Sequence, residues 1–383
     1  MLTIFDEEFA RDPWPVLAHL REDGGVHRVA TPDGPPAWLV TRFDQVRAGL
    51  LDERLSTNLR FAQGNDYRGF AVPAPLDVFQ SSDAEDLARL RRTVVGALQP
   101  RRTGEWAEPA GDLVRRCLAA VREDEFDFVE RVAVPLPAAV LGDLLGLAAA
   151  EREALLNWAN STLRPDGTLR ARDTLATMGR IITGTLEHAR AAGDDTVLGR
   201  LVGTGRTAAG LDSGQLAGLL FYLLFVWYEV LADLISGAVL TFSQWPALVG
   251  ALGPDGAVVD ELVRHQSPQV LAGPRFAVTD LDLGGYRVRA GETVLLCLAA
   301  ANHDPDRFAR PEEPDHRRGP NAHLGLGLGA HACVGTALVR TVTTAVLEQI
   351  YAQWPGLRAT ADQVPWRSGF RHRGPLTLPV KVG

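Results

Sequence analysis

The residues of this chain best equipped for chemistry are Leu326-Gly327-Leu328-Gly329-Ala330-His331-Ala332-Cys333-Val334-Gly335, one cysteine in a glycine-punctuated stretch. Glycine lets a backbone turn tightly, so N–H groups can be aimed at the sulfur. An apolar-periodic run from Thr336 to Trp354 follows at once and predicts a long helix. The positive end of that helix favours thiolate over thiol. A single thiolate held this way suits a haem iron, because zinc or an iron–sulfur cluster would need further Cys or His ligands at short spacing.

The elements that must position this loop are mostly helical. Apolar periodicity predicts helices over Trp14–Arg21, Phe43–Leu51, Ala84–Leu98, Glu105–Val121, Val132–Leu147, Ala150–Leu163, Arg172–Ala192, Ser213–Gln244 and Pro254–His265. Asp212-Ser213-Gly214-Gln215 reads as the start of the Ser213–Gln244 helix. Short strands are expected at Val26–Ala30, Ala37–Thr41, Phe276–Val278, Leu281–Leu283, Tyr286–Val288, Thr293–Cys297 and Leu376–Val380. No repeat or long linker interrupts the pattern.

The chain has 383 residues, 46% hydrophobic and 22% charged, which is ordinary for a globular protein. Cys117, Cys297 and Cys333 are too few and scattered for a disulfide framework, which favours a reducing cytoplasm. The first residues lack a basic and an apolar region, so no signal peptide is expected. The run Leu216 to Tyr228 is too short to span a bilayer and meets Glu229 and Asp233, so it reads as a buried central helix and no membrane association is expected. A net charge of −8 argues against nucleic acid as a partner. Arg89, Arg91, Arg92, Arg101 and Arg102 form a local basic cluster, either a solvated helix face or a docking patch for an acidic electron donor.

The glycine-rich stretch resembles the haem-binding loop of the cytochrome P450 family, F-G-x-G-x-H-x-C-x-G, with Leu326 in place of the aromatic residue. The resemblance runs the whole length. It implies one mainly α domain over residues 1–383, a cytochrome P450 fold with a small β-sheet subdomain, holding haem b (iron protoporphyrin IX) between the central helix and the cysteine loop. Cys333 is then the metal ligand, with Leu326 and Gly327 beside it. Arg91, Arg275 and His331 are the expected partners of the haem carboxylates, which need cations or hydrogen bonds as they leave water. Leu87 stands where many members have a histidine.

Glu261 and Arg264 sit at i, i+3 on one helix, a spacing that by itself means only a surface pair. In the family the same pair braces the cysteine loop, joined by an arginine from the following meander. Here Glu313 occupies that position, and Arg310 or Arg317 is the expected substitute.

The central helix departs most from the family's A-G-x-[D/E]-T-T. The matching residues are Val226-Trp227-Tyr228-Glu229-Val230-Leu231. The acid remains as Glu229, the glycine becomes Trp227, and both threonines are gone. Dioxygen activation needs protons, and a hydroxyl after the acid normally holds the water that relays them. Val230 and Leu231 cannot donate, and Trp227 either fills the space above the iron or turns away and reshapes the helix. Glu229, Trp227 and Cys333 are therefore the candidate catalytic residues, and Asp233 is expected to face another helix.

Three explanations stay open: the substrate supplies its own hydroxyl or water, the enzyme abstracts hydrogen or an electron and lets the radical couple or rearrange, or no oxygen is activated. The resemblance implies a monooxygenase or oxidase of a small specialised metabolite, such as an antibiotic precursor, served by a ferredoxin and its reductase. A haem-thiolate isomerase, lyase or cyclase is the alternative, and a non-catalytic recruitment module the third. The pocket is expected to involve Val226, Val230, Val270, Leu271, Ala272, Phe370 and the loop Phe61–Gln80 with Tyr67, Phe70, Val72, Pro73, Pro75 and Phe79. That lining suits a medium-sized, partly apolar molecule, free or bound to a carrier protein.

Overall fold

A computed structural model describes residues 1–383 except 33, 65–75, 99, 164–170, 193–196, 205–210, 362 and 368. The side chains of 97, 100–106, 171–174, 191, 192, 197, 200, 203 and 204 are likewise outside the described set. Tyr67, Phe70, Val72, Pro73 and Pro75 of the expected pocket loop therefore lie outside the described residues, as do the side chains of Arg101 and Arg102.

The long helices form where the apolar period places them: Trp14–Glu22, Phe43–Leu51, Ala84–Ala97, Pro100–Leu118, Pro135–Leu145, Ala149–Leu163, Ala171–Ala192, Ala257–Gln266 and Thr336–Gln353. Short helices at Glu7–Arg11, Val78–Ser81, Val197–Thr204 and Leu298–Asn302 were not expected, each having too few turns to show a period. The helical stretch Ser213–Gln244 runs through the middle of the largest apolar cluster. It begins with a reciprocal cap, in which the Asp212 side chain accepts from the Gln215 N–H and the Gln215 side chain accepts from the Asp212 N–H. This helix is long and apolar enough to cross a membrane, but 78% of its most apolar window is buried inside the fold, as a core helix requires.

Among the described residues, three small sheets flank the helices. The largest orders Val26–Thr31, Gly34–Val40, Thr293–Leu296, Arg275–Ala277 and Leu55–Ser56, with only Gly34–Val40 and Thr293–Leu296 parallel. Leu281–Leu283 and Tyr286–Val288 pair across Gly284 and Gly285, both at positive φ, as a two-residue hairpin demands. A third sheet joins Glu125–Asp127, Pro379–Lys381 and Arg358–Ala359, so the C-terminal strand lies slightly later than the expected Leu376–Val380. The two-residue strands gave no alternation long enough to read from sequence.

Beside the largest sheet, His303 stacks on Trp14 at 4.0 Å and approaches the His265 carbonyl at 2.9 Å. His265 in turn approaches the Glu312 carbonyl at 3.0 Å. Burial lowers both histidines' pKa values, His265 to about 4 and His303 well below its ordinary range. Unfolded histidines accept protons near pH 6.5 that the folded ones refuse, so stability is lost as pH falls below that point. The slope is at most about 1.4 kcal/mol per pH unit for each histidine. Asp233 works the other way: its folded pKa is raised to about 6, so below that pH it favours the folded form. Urea midpoints should fall as pH drops from about 7 to about 5, and His303→Phe should flatten that slope.

Candidate active site

The cysteine loop is built by two glycines at positive φ, Gly327 at 72° and Gly329 at 74°. A β-carbon on Gly329 would fall 2.8 Å from Leu51, so that turn also needs the absent side chain. The Cys333 N–H closes the loop on the Leu326 carbonyl at 2.8 Å. Helix Thr336–Gln353 starts three residues past the sulfur. Cys333 opens onto a cavity, yet the protein packed around it desolvates the thiol and raises its pKa. The Gly335 N–H, the Thr336 hydroxyl and Arg91 pull in the opposite direction.

That cavity lies between the loop and the central helix. Leu326, Gly327, His331, Cys333 and Val334 line it from the loop, and Leu219, Tyr222, Leu223, Val226, Trp227 and Val230 from the helix. Arg91 and Arg275 also line it. The Arg91 guanidinium donates to the Ala332 carbonyl at 2.5 Å, next to the sulfur-bearing residue. Arg275 is 3% exposed and its guanidinium donates to the Gly273 carbonyl at 2.7 Å. Burial lowers both arginines' pKa values, that of Arg275 to about 10.

Among the described residues neither arginine has a carboxylate partner, and no Asp or Glu lines the cavity. One buried and one half-buried cation, Arg275 and Arg91, facing an acid-free cavity match a ligand that brings two carboxylates. His331 lines the same cavity, 3.5 Å from the Thr57 hydroxyl, and burial with both arginines lowers its pKa to about 4. One thiolate donor, an apolar slot and two unpaired cations fit haem.

Behind the loop, Glu261 and Arg264 are buried, their side chains 1% and 0% exposed, and joined by two hydrogen bonds of 2.9 and 2.8 Å. The meander arginine is neither Arg310 nor Arg317. Arg310 pairs with Glu313 and Arg317 with Asp315, both with exposed guanidinium groups. Arg318 takes the place, donating to Glu261 at 3.1 Å and to the carbonyls of Ala309, Arg310 and Glu313. The Asn321 amide and the Asp315 N–H complete the shell around Glu261. Arg264 spans to the Asn302 and Pro311 carbonyls, and the Asn302 side chain receives the Leu324 N–H at the entrance of the cysteine loop. Either of two consecutive arginines could have filled the role; only the path of the backbone chose between them.

On the central helix, Val226, Trp227 and Val230 face the cavity, whereas Leu231 is packed into the core. A π-helical turn, Tyr222–Val226, directly precedes Trp227, so the helix is reshaped while the indole still lines the cavity. The Trp227 N–H is buried without a hydrogen-bond partner. Glu229 is not among the lining residues; its carboxylate lies 3.5 Å from the Arg367 guanidinium. Asp233 does not face another helix, as the sequence had suggested, but is fully paired with Arg367 of the C-terminal hairpin. Nothing in the local sequence marks Arg367, which is 134 residues away.

Of the remaining pocket candidates, Phe79, Gln80, Leu271 and Ala272 line the cavity. Val270 and Phe370 do not; they pack in the N-terminal apolar cluster, where Phe370 meets Phe5 at 4.7 Å. Of the basic cluster, Arg91 is turned inward while Arg89 pairs with Asp86 on the surface.

A helical body holding one cysteine loop against a long central helix defines a haem-thiolate class of enzyme. A family model described as Cytochrome P450 matches residues 256–352. Cytochrome P450 monooxygenase PikC of Streptomyces venezuelae is 31% identical over 98% of this chain and 92% of its own length. Vitamin D(3) 25-hydroxylase of Pseudonocardia autotrophica is 30% identical over 99% and 96%. The solved structure of the Bacillus subtilis bacillaene polyketide synthase cytochrome P450 PksS covers both chains completely at 25% identity, with a TM-score of 0.88. The chain belongs to the cytochrome P450 family, and the mainly α fold with small sheets is that family's fold.

Proposed function

We propose that this chain is a haem-thiolate monooxygenase or oxidase that tailors a medium-sized, largely apolar natural product. The observation that carries the reading is the acid-free cavity with Cys333 on one wall, Val226, Trp227 and Val230 on the other, and Arg91 and Arg275 unmatched by any carboxylate among the described residues. Relatives named for polyketide and hydroxylation chemistry support the substrate class.

In this reading Cys333 ligates haem b, Arg91, Arg275 and His331 hold its carboxylates, and residues 1–383 work as one domain. Bound haem supplies the binding and reductive activation of dioxygen. The chain itself supplies an apolar distal wall: Leu219, Leu223, Val226 and Val230 offer water no hydrogen bond, and the Trp227 indole narrows the space. Because Glu229 is held by Arg367, protons reach the chamber on water or on a hydroxyl of the substrate rather than from that carboxylate. Electrons come from a ferredoxin-type protein and its reductase, met by exposed basic residues such as Arg89 and Arg92. The free cysteines suit the reducing cytoplasm.

Substrate turnover should consume dioxygen and NAD(P)H one for one with product. Product formed without either would make the enzyme an isomerase, lyase or cyclase, which the scarcity of proton-carrying side chains on the distal wall also favours. Val230→Thr places a hydroxyl on the cavity-facing position. Positioned proton transfer is worth about 10²–10⁴-fold, so coupled turnover should rise at least about tenfold. An unchanged rate in a haem-loaded variant would exclude the missing hydroxyl as the limitation.

A further inference from the structure

Glu229 and Asp233 are four residues apart on the central helix, a like-charged spacing that is unfavourable unless something compensates it. The compensation comes from Arg367, whose guanidinium reaches both Asp233 oxygens at 2.5 Å and Glu229 at 3.5 Å. The side chains of Asp233 and Arg367 are 1% and 9% exposed. We propose that Arg367 is a positioning residue, clamping the C-terminal hairpin that lines the substrate chamber onto the central helix through Asp233 and Glu229. This deepens the haem-thiolate reading and rests on it.

Two independent features support the clamp. A β-carbon on Gly374 would collide with an Asp233 carboxylate oxygen, so the hairpin backbone can press against that carboxylate only because residue 374 has no side chain. The two arms of the hairpin are also hydrogen-bonded to each other. The Arg367 N–H donates to the Gly374 carbonyl at 3.1 Å, and the Leu376 N–H to the Pro365 carbonyl at 2.7 Å. Its tip is tied onward, with the Arg373 N–H on the Pro268 carbonyl and the Val270 N–H on the Arg371 carbonyl, each at 2.8 Å.

Arg371 and His372 from the hairpin, and Pro268 and Leu271 from the strap it holds, line the same cavity as Val226 and Val230. Shifting the hairpin against the helix therefore changes the width of the chamber without touching the cysteine loop. Burial and Glu229 raise the Asp233 pKa while Arg367 opposes them, as expected for an acid whose ionised form depends on that one guanidinium.

The test uses the haem-loaded protein and two probes followed by the Soret shift. Imidazole needs only the iron; 4-phenylimidazole must also fill the chamber. Arg367→Gln and Asp233→Asn should weaken 4-phenylimidazole about tenfold and leave imidazole within about twofold. Arg367→Lys keeps the charge but moves it from the place of Nη2, the nitrogen that meets Asp233 and Glu229, and should lose about threefold. Glu229→Gln, removing the longer arm, should lose no more than about threefold. Equal affinities for both probes in Arg367→Gln and wild type, or equal losses for both, would overturn the clamp. If Arg367→Gln does not load haem, Arg367→Lys and Glu229→Gln decide by the same ratio. Failure of the haem-thiolate reading itself is distinguishable, because wild type would then lack the ferrous carbon monoxide band of thiolate ligation.

Discussion

Cys333→Ala should abolish the far-red-shifted band of the reduced, carbon monoxide-treated protein and lower haem affinity by at least about 100-fold. The other two cysteines cannot substitute: Cys297 is buried with its thiol capping the short helix Leu298–Asn302, and neither it nor Cys117 lines the cavity. The backbone of the loop is closed by the Cys333 N–H and by glycines, not by the sulfur, so the variant should keep the wild-type far-ultraviolet circular dichroism. Persistence of the band in Cys333→Ala would remove the basis of the whole site.

Arg264→Ala should cost about 3–5 kcal/mol, because it leaves the Glu261 carboxylate buried. Against a typical total of about 5–15 kcal/mol that is a large fraction, and the loss should appear as a lower urea midpoint together with poor haem retention. The coupling is structural: Arg264 holds the Asn302 carbonyl, and the Asn302 side chain holds the backbone at Leu324, two residues before Leu326. Arg318→Ala should lose less, since Asn321 and Arg264 still face Glu261. Arg317→Ala, whose guanidinium is 79% exposed, should shift the midpoint by under about 1 kcal/mol. Equal effects of Arg317→Ala and Arg318→Ala would displace Arg318 from the network.

Much of this was legible before any fold was known. Long helices showed because several turns repeat one apolar period, as in Thr336–Gln353, whereas two-residue strands such as Leu55–Ser56 and Arg358–Ala359 carry no pattern at all. The Cys333 loop was readable because its chemistry is local: ligand, glycines and helix start lie within eleven residues. The Glu261–Arg264 spacing was readable for the same reason, but its meaning was not, since the same spacing on a surface is worth little.

What the sequence determined by itself was thus the thiolate loop, the helical body and the loss of the distal hydroxyls. Tertiary structure alone decided that Arg318 and not its neighbour completes the brace, that Glu229 turns to Arg367, and that Val270 and Phe370 sit outside the cavity. The reason is range. Backbone periodicity and caps act over a few residues, whereas the partner of a buried charge is whichever group the folded chain brings within hydrogen-bonding distance, and for Asp233 that group is 134 residues away.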